Sequence, residues 1–342
     1  MARLIFDGHN DALGRMWAAR ETPDTFARAQ GHVNVPNARA GGFAGGFFAM
    51  FAPSAREPFD LDDFDPALMT GALPPDLPED IAALAIIGQA GLAHQLQAAG
   101  HLVICTDAAS LDSAFGSSAI ACVLHLEGAE CIGPDLLALD ALYALGLRSL
   151  GPVWSRRTVF GEGVPFGWDR TGDTGPGLTE RGQALIARCR DLGVVIDTSH
   201  LTEKGFWDVG EAGLPLVATH SNAHAICPVT RNLTDAQLRA VGETGGMVGL
   251  NFGTIFLDEA GWTTRRSTID ACLRHLDHMI THAGEDHVGF GSDFDGAPMP
   301  DALQSAADLP NLVTAMQTHG FGDALIDKLC AGNWRAFLRN AL

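Results

Sequence analysis

The sequence predicts an α/β fold, a closed (β/α)8 TIM barrel, on three observations. Short apolar runs of β type alternate with helical patterns along the chain. Eight such runs stand in strand–helix order, which implies a parallel sheet closed on itself. Histidines and carboxylates collect just after several of the runs, at the end where a parallel barrel carries its active site.

In order, the runs are Leu4 to Asp7, Gly45 to Phe51, Ile120 to Leu126, Leu147 to Val153, Val194 to Asp197, Leu216 to Thr219, Met247 to Asn251 and Val288 to Gly291. Helical patterns lie between them at Asp80 to Ala99, Asp135 to Leu145, Glu180 to Leu192, Glu203 to Ala212, Thr234 to Glu243 and Thr268 to Ala283. Glycine marks the helix exits, as at Gly100, Gly146, Gly193 and Gly284, because it accepts the left-handed conformation there. A ninth apolar run, His101 to Thr106, is expected as an extra strand outside the barrel. Two stretches interrupt the rhythm, at about 53–79 and 154–179. Each follows a strand, so each is expected on the catalytic face as a lid or binding loop. No repeat or linker divides the chain, and the reading is a single barrel domain over 1–342.

Composition narrows the function. Hydrophobic residues make up 46% and charged residues 18%, enough for a large core and too apolar for disorder. The net charge of −19 excludes a nucleic-acid partner, which needs a basic footprint. The seven cysteines are odd in number and irregularly spaced, without a CxxC. They read as reduced, buried thiols of a reducing compartment. Neither a secretory signal nor a bilayer-spanning run is visible, so the expectation is a cytoplasmic protein with no membrane partner. Base rates favour a homodimer.

The chemistry sits after the strands. The first run leads into His9-Asn10-Asp11, where an imidazole and a carboxylate two apart leave one face of an extended segment. That pair suits Zn²⁺, although an isolated HxD is more often a solvated turn. The third run ends in His125-Leu126-Glu127, and a carboxylate after so apolar a run needs the barrel mouth or a cation. His125 shares the face of Glu127, as a group orienting the site or as a core histidine. The fifth and sixth runs each deliver one histidine, His200 and His220. Five N and O donors on four strands oversupply one tetrahedral ion, so two ions sharing Glu127 fit better. Asp293, after the eighth run, is placed to act as acid or base. Asp295 reads as turn chemistry before Gly296. Arg231 offers a planar fork for a carboxylate, against the alternative of an ordinary surface arginine. His224 has no assigned role.

Together these pieces resemble the renal or membrane dipeptidase family of the amidohydrolase superfamily. The matching stretches are Asp7-Gly8-His9-Asn10-Asp11, Leu126-Glu127-Gly128, Asp197-Thr198-Ser199-His200, Thr219-His220-Ser221-Asn222-Ala223, Thr230-Arg231-Asn232, Gly291-Ser292-Asp293-Phe294-Asp295-Gly296 and Gly332-Asn333-Trp334. The resemblance implies two zinc ions, with His9 and Asp11 on one, His200 and His220 on the other, and Glu127 bridging. It implies that Arg231 holds the substrate carboxylate and that Asp293 shuttles the proton and helps bind the free amino terminus. The implied reaction is hydrolysis of dipeptides, including those ending in a D-residue. One position departs from the family: Trp154 stands where a substrate-contacting histidine is usual. Arg156 or Arg157 is a candidate replacement for its charge. Two other readings stay open: an amidohydrolase acting on N-acyl amino acids or lactams, and a catalytically poor small-molecule binding homologue.

Overall fold

Eight parallel strands form the wall of a barrel, and the chain walks around it in order. In chain order the described strands are β1 (Ile5–Asn10), β2 (Phe43–Phe51), β3 (Leu102–Ile104), β4 (Ile120–Glu127), β5 (Leu147–Gly151), β6 (Arg157–Thr158), β7 (Gly161–Glu162), β8 (Val195–Ile196), β9 (Val217–Ala218), β10 (Met247–Leu250) and β11 (Val288–Phe290), and all but β3, β6 and β7 belong to the wall. Hydrogen bonding joins them as β8-β5-β4-β2-β1-β11-β10-β9. A parallel bridge between Asp197 and Val217 brings the two ends of that path together. The structure, a computed structural model, describes residues 3–28, 30–54, 69 and 71–342. Most of the interruption expected at 53–79 therefore lies outside the described residues.

Every residue of β4 is buried, as a strand covered on both faces requires. β3 is the ninth apolar run, and it lies off the eight-strand path. It pairs with β4 from Leu102↔Ile120 to Ile104↔Cys122, whereas β5 joins β4 only from Leu124 onward. The second interruption is not all loop, since β6 and β7 form a small antiparallel hairpin within it. Isolated bridges then tie Gly163 to Leu201 and Trp168 to Val229.

Several strands differ in length from the sequence expectation. β1 runs on through His9 and Asn10. β8 and β9 are only two residues each, because the chain turns toward the barrel mouth at Thr198 and Thr219. β5 stops at Gly151, since Pro152 has no N–H for the ladder. Helices absent from the sequence reading include Ala12–Ala18, Val35–Gly41, Ala108–Phe115, Leu309–His319 and Asn333–Ala341. The longest described helix, Glu79–Ala98, follows β2. No helix among the described residues is long and apolar enough to cross a membrane.

The floor of the barrel is apolar. Phe6, Phe47, Val123, Val195, Val217 and Met247 pack together with Trp334 and Leu338 from the last helix. Trp334 is fully buried and donates its indole N–H to the carbonyl of Phe290 at 2.8 Å. All seven cysteines are buried and unpaired. Replacing Trp334 by alanine is expected to cost about 3–5 kcal/mol of stability, the usual size for emptying a large aromatic site. Urea denaturation measures it, and a loss under about 1 kcal/mol would contradict this role for the indole.

Candidate metal centre

Above that floor the interior turns polar, and a backbone irregularity makes the change on β1. Strict alternation from the inward Phe6 would bring Gly8 and Asn10 to the interior. Instead Asp7 pairs with Gly46 and Asn10 with Phe48, so three steps on β1 match two on β2. A bulge of this kind re-aims side chains. His9 consequently meets His220, ring centroids 3.8 Å apart, and His125 at 5.5 Å.

The other four expected ligands come together around Glu127. Its Oε2 lies 3.6 Å from His9 Nε2, which is 3.5 Å from Asp11 Oδ2. Its Oε1 lies 3.0 Å from His200 Nε2 and 3.5 Å from His220 Nε2, and those two nitrogens are 3.1 Å apart. A tetrahedral ion with bonds of about 2.0–2.1 Å needs donors about 3.3 Å apart. Both donor sets have that size, and they share one carboxylate through its two oxygens.

The hydrogen bonds around the donors leave their lone pairs facing inward. Thr219 Oγ1 donates to Asp197 Oδ2 at 2.7 Å, so it accepts the Nδ1–H of His220 at 2.8 Å. His220 Nε2 is then an acceptor facing the Glu127 oxygen, which a cation between them resolves. Ser155 Oγ lies 2.9 Å from His200 Nδ1. Both nitrogens of His9 are buried without any hydrogen-bond partner. Asp197 serves as a hub, accepting from Ser199 N and Oγ as well as Thr219 N and Oγ1. Burial raises its pKa, but His125 and these hydrogen bonds outweigh it and hold the carboxylate low.

Electrostatics points the same way. Burial pushes Glu127 well above the usual carboxylate range, and Asp11, Asp293 and Asp197 add to it against the opposing charge of His9. Burial would lower His9, but Glu127 and Asp11 raise it to about 10. Burial holds His200 and His220 far below the ordinary imidazole value, as neutral donors, helped by Arg231 and His9. The protein alone must keep a proton on His9 to offset its crowded carboxylates, and a bound dication would take over that role. The donor set therefore fits divalent metal.

Asp293 has left-handed backbone at φ 62°, a conformation aspartate tolerates, and Asn251 Nδ2 donates to its Oδ2 at 2.9 Å. Its ligand oxygen lies within 4.8 Å of His9 and His220. Gly296 lets the two carboxylates approach: a Cβ there would sit 2.0 Å from Asp11 Oδ2 and 2.7 Å from Asp293 Oδ1.

Arg231 is buried, not the ordinary surface arginine of the alternative reading. Its Nη1 donates to the Ser199 carbonyl and to Ser221 Oγ, and its Nη2 to the His220 carbonyl at 3.1 Å. Nε has no partner, so Nε–H and one Nη2–H remain as a fork. Trp154 packs against Phe51 at 5.1 Å, Phe166 at 6.0 Å and His200 at 5.9 Å. Neither nearby arginine supplies the missing charge. Arg156 is buried in an ion pair with Glu130 at 2.8 Å, and Arg157 pairs with Glu162 at 2.6 Å.

Other sequence readings resolve as well. His125 faces Ser149 Oγ at 3.0 Å and Asp197 at 3.5 Å. Asp295 has φ 66°, and its carboxylate also reaches across the chain to the amides of His32 and Val33. His224 turns away to the carbonyl of Arg170. Sequence reasoning assigned no role to Asp197, Thr219, Ser155 or Asn251. The signal for Thr219 was its place directly before His220. The signal for Asn251 was its place at the end of the seventh apolar run, whereas nothing local marked Ser155, which arrives from the loop after β5.

Comparison with known proteins decides the family. The model of the membrane dipeptidase family, peptidase family M19, matches residues 2–341. The chain belongs to that family. A metallopeptidase from Rhodobacter sphaeroides, solved with a phosphinate mimic of the dipeptide L-Ala-D-Ala, is 44% identical with a TM-score of 0.94, covering 100% of both chains. The M19 metallopeptidase dipeptidase AC is 45% identical with a TM-score of 0.92, covering 100% of this chain and 99% of its own. A Klebsiella pneumoniae protein in the pqqA 5' region, described as uncharacterized, is 45% identical over 258 residues, 75% of this chain and 94% of that protein. This M19 chain is accordingly a metallohydrolase of the dipeptidase type.

Replacing Thr219 by valine removes the hydroxyl that fixes the His220 tautomer. Metal affinity is expected to fall about 10–100-fold, as when other groups that orient a ligand are lost. Competition against a chelating dye measures it; unchanged affinity would contradict the Asp197–Thr219–His220 chain.

Proposed function

We propose that this M19 protein is a binuclear zinc dipeptidase whose substrates include L-Xaa-D-Xaa dipeptides. The observation that carries the reading is Glu127, whose Oε2 faces His9 with Asp11 beside it and whose Oε1 faces the two imidazoles of His200 and His220. In this reading His9 and Asp11 hold one ion, His200 and His220 the other, and Glu127 both. Imidazole and carboxylate donors suit zinc among the divalent metals. Bound there, the ions supply Lewis acidity and activate water at neutral pH.

The protein groups do the rest. Asp293 accepts the proton of the attacking water and returns it to the departing amine. Burial supports this role by raising its pKa above the ordinary aspartate value, against the charge of His9. Arg231 takes the substrate carboxylate on its free Nε–H and Nη2–H edge. Its recorded hydrogen-bond partners are all neutral oxygens, which leaves a buried cation in want of an anion. Trp154 forms an apolar wall with Phe51 and Phe166, and it contacts substrate side chains in place of a charged histidine. The dipeptide mimic bound by the Rhodobacter sphaeroides relative favours dipeptides over N-acyl amino acids or lactams.

A panel of L,L and L,D dipeptides beside N-acyl amino acids on zinc-loaded enzyme tests the substrate class. Faster turnover of acyl amino acids would replace this reading. Asp293→Asn is expected to lower kcat about 10²–10⁴-fold with metal retained. Undiminished turnover would remove Asp293 from the chemistry. Arg231→Lys keeps a charge but loses the fork, so KM should rise for free dipeptides and stay level for C-terminal amides. An equal rise for both would reduce Arg231 to holding the Ser199 and His220 loops.

A further inference from the structure

A second cluster of metal-binding side chains stands away from the barrel mouth. Asp235 begins the helix Asp235–Glu243, which follows the loop carrying Arg231. His278 and His282 lie four apart on the helix Ile269–Ala283, so they share one face. Both Nε2 atoms converge on one carboxylate: His278 reaches Asp235 Oδ1 at 2.6 Å and His282 reaches Oδ2 at 3.6 Å. The two rings are 4.4 Å apart, and the three donor atoms all lie within 4.8 Å of one another.

We infer that Asp235, His278 and His282 form a third metal site, for a single transition dication such as Zn²⁺ or Ni²⁺. Two imidazoles and one carboxylate suit these ions and disfavour Mg²⁺ or Ca²⁺, which prefer all-oxygen shells. The histidines are 20% and 21% exposed and Asp235 40%, so solvent reaches the site and can fill the remaining position. The ion replaces the hydrogen-bond proton now shared between His278 and Asp235. It ties the helix after β9 to the helix before β11, and the loops after those strands carry His220 and Asp293. Its role is that of a clamp, with no part in the reaction.

Arg239 opposes it. Its Nη1 lies 3.1 Å from His282 Nδ1, and arginine can only donate, so that nitrogen accepts. When Nε2 of His282 takes a metal, its Nδ1 must carry the proton and the guanidinium must leave. Arg239 is exposed and free to swing out. Removing it is therefore expected to tighten metal binding, a gain that misfolding cannot produce.

The test uses zinc-loaded protein, with Ni²⁺ as the added probe, read by calorimetry and by elemental analysis. Wild type should take up one Ni²⁺ per chain with its zinc retained. The double variant His278→Ala/His282→Ala should take up none, and keep its dipeptidase activity. Arg239→Ala should bind Ni²⁺ about two- to fivefold more tightly, the size of one exposed charge interaction. Three results would overturn the site: equal uptake by the double variant, uptake only with loss of zinc, or no gain in Arg239→Ala.

Discussion

The centre of this molecule depends on one buried carboxylate with too few protons to go round. Glu127 ends the longest fully buried strand of the barrel and meets imidazoles at both oxygens. Its neighbours include Asp11, Asp293 and Asp197, so burial and repulsion act together on it. A carboxylate cannot stay charged in such a place without compensation. Lone pairs of fixed histidines surround it, and they accept a cation more readily than they accept one another.

The rest of the barrel serves that arrangement. The apolar floor under Trp334 supports the polar layer, and the bulge in β1 swings His9 across to it. β8 and β9 are short, so the loops bearing His200 and His220 need support from elsewhere. Asp197 gathers Ser199 and Thr219, and Arg231 holds the carbonyls of Ser199 and His220. The same guanidinium that steadies these loops keeps its Nε without a hydrogen-bond partner. Positioning, and the carboxylate recognition proposed for it, would then be two uses of a single side chain.

Much of this was legible in the sequence. Strand–helix alternation is a strong signal, and it led to the barrel, to Glu127 and to the four residues that meet there. The histidine and carboxylate types, placed after apolar runs, could be read because polar groups rarely follow such runs without a partner. What escaped was non-local. The β1 bulge exists only in its pairing with β2, and Ser155 and Asn251 reach the site from the loops after β5 and β10, which no spacing rule links to His200 or Asp293. Arg156 illustrates the converse. Its charge made it a candidate for the site, but Glu130, 26 residues away, had already claimed it.

The most direct test of the account is a crystal structure of the zinc-loaded protein with anomalous data collected across the zinc edge. The account requires two peaks flanking Glu127, one beside His9 and Asp11 and the other beside His200 and His220. A single peak, or a pair that Glu127 does not bridge, would contradict it.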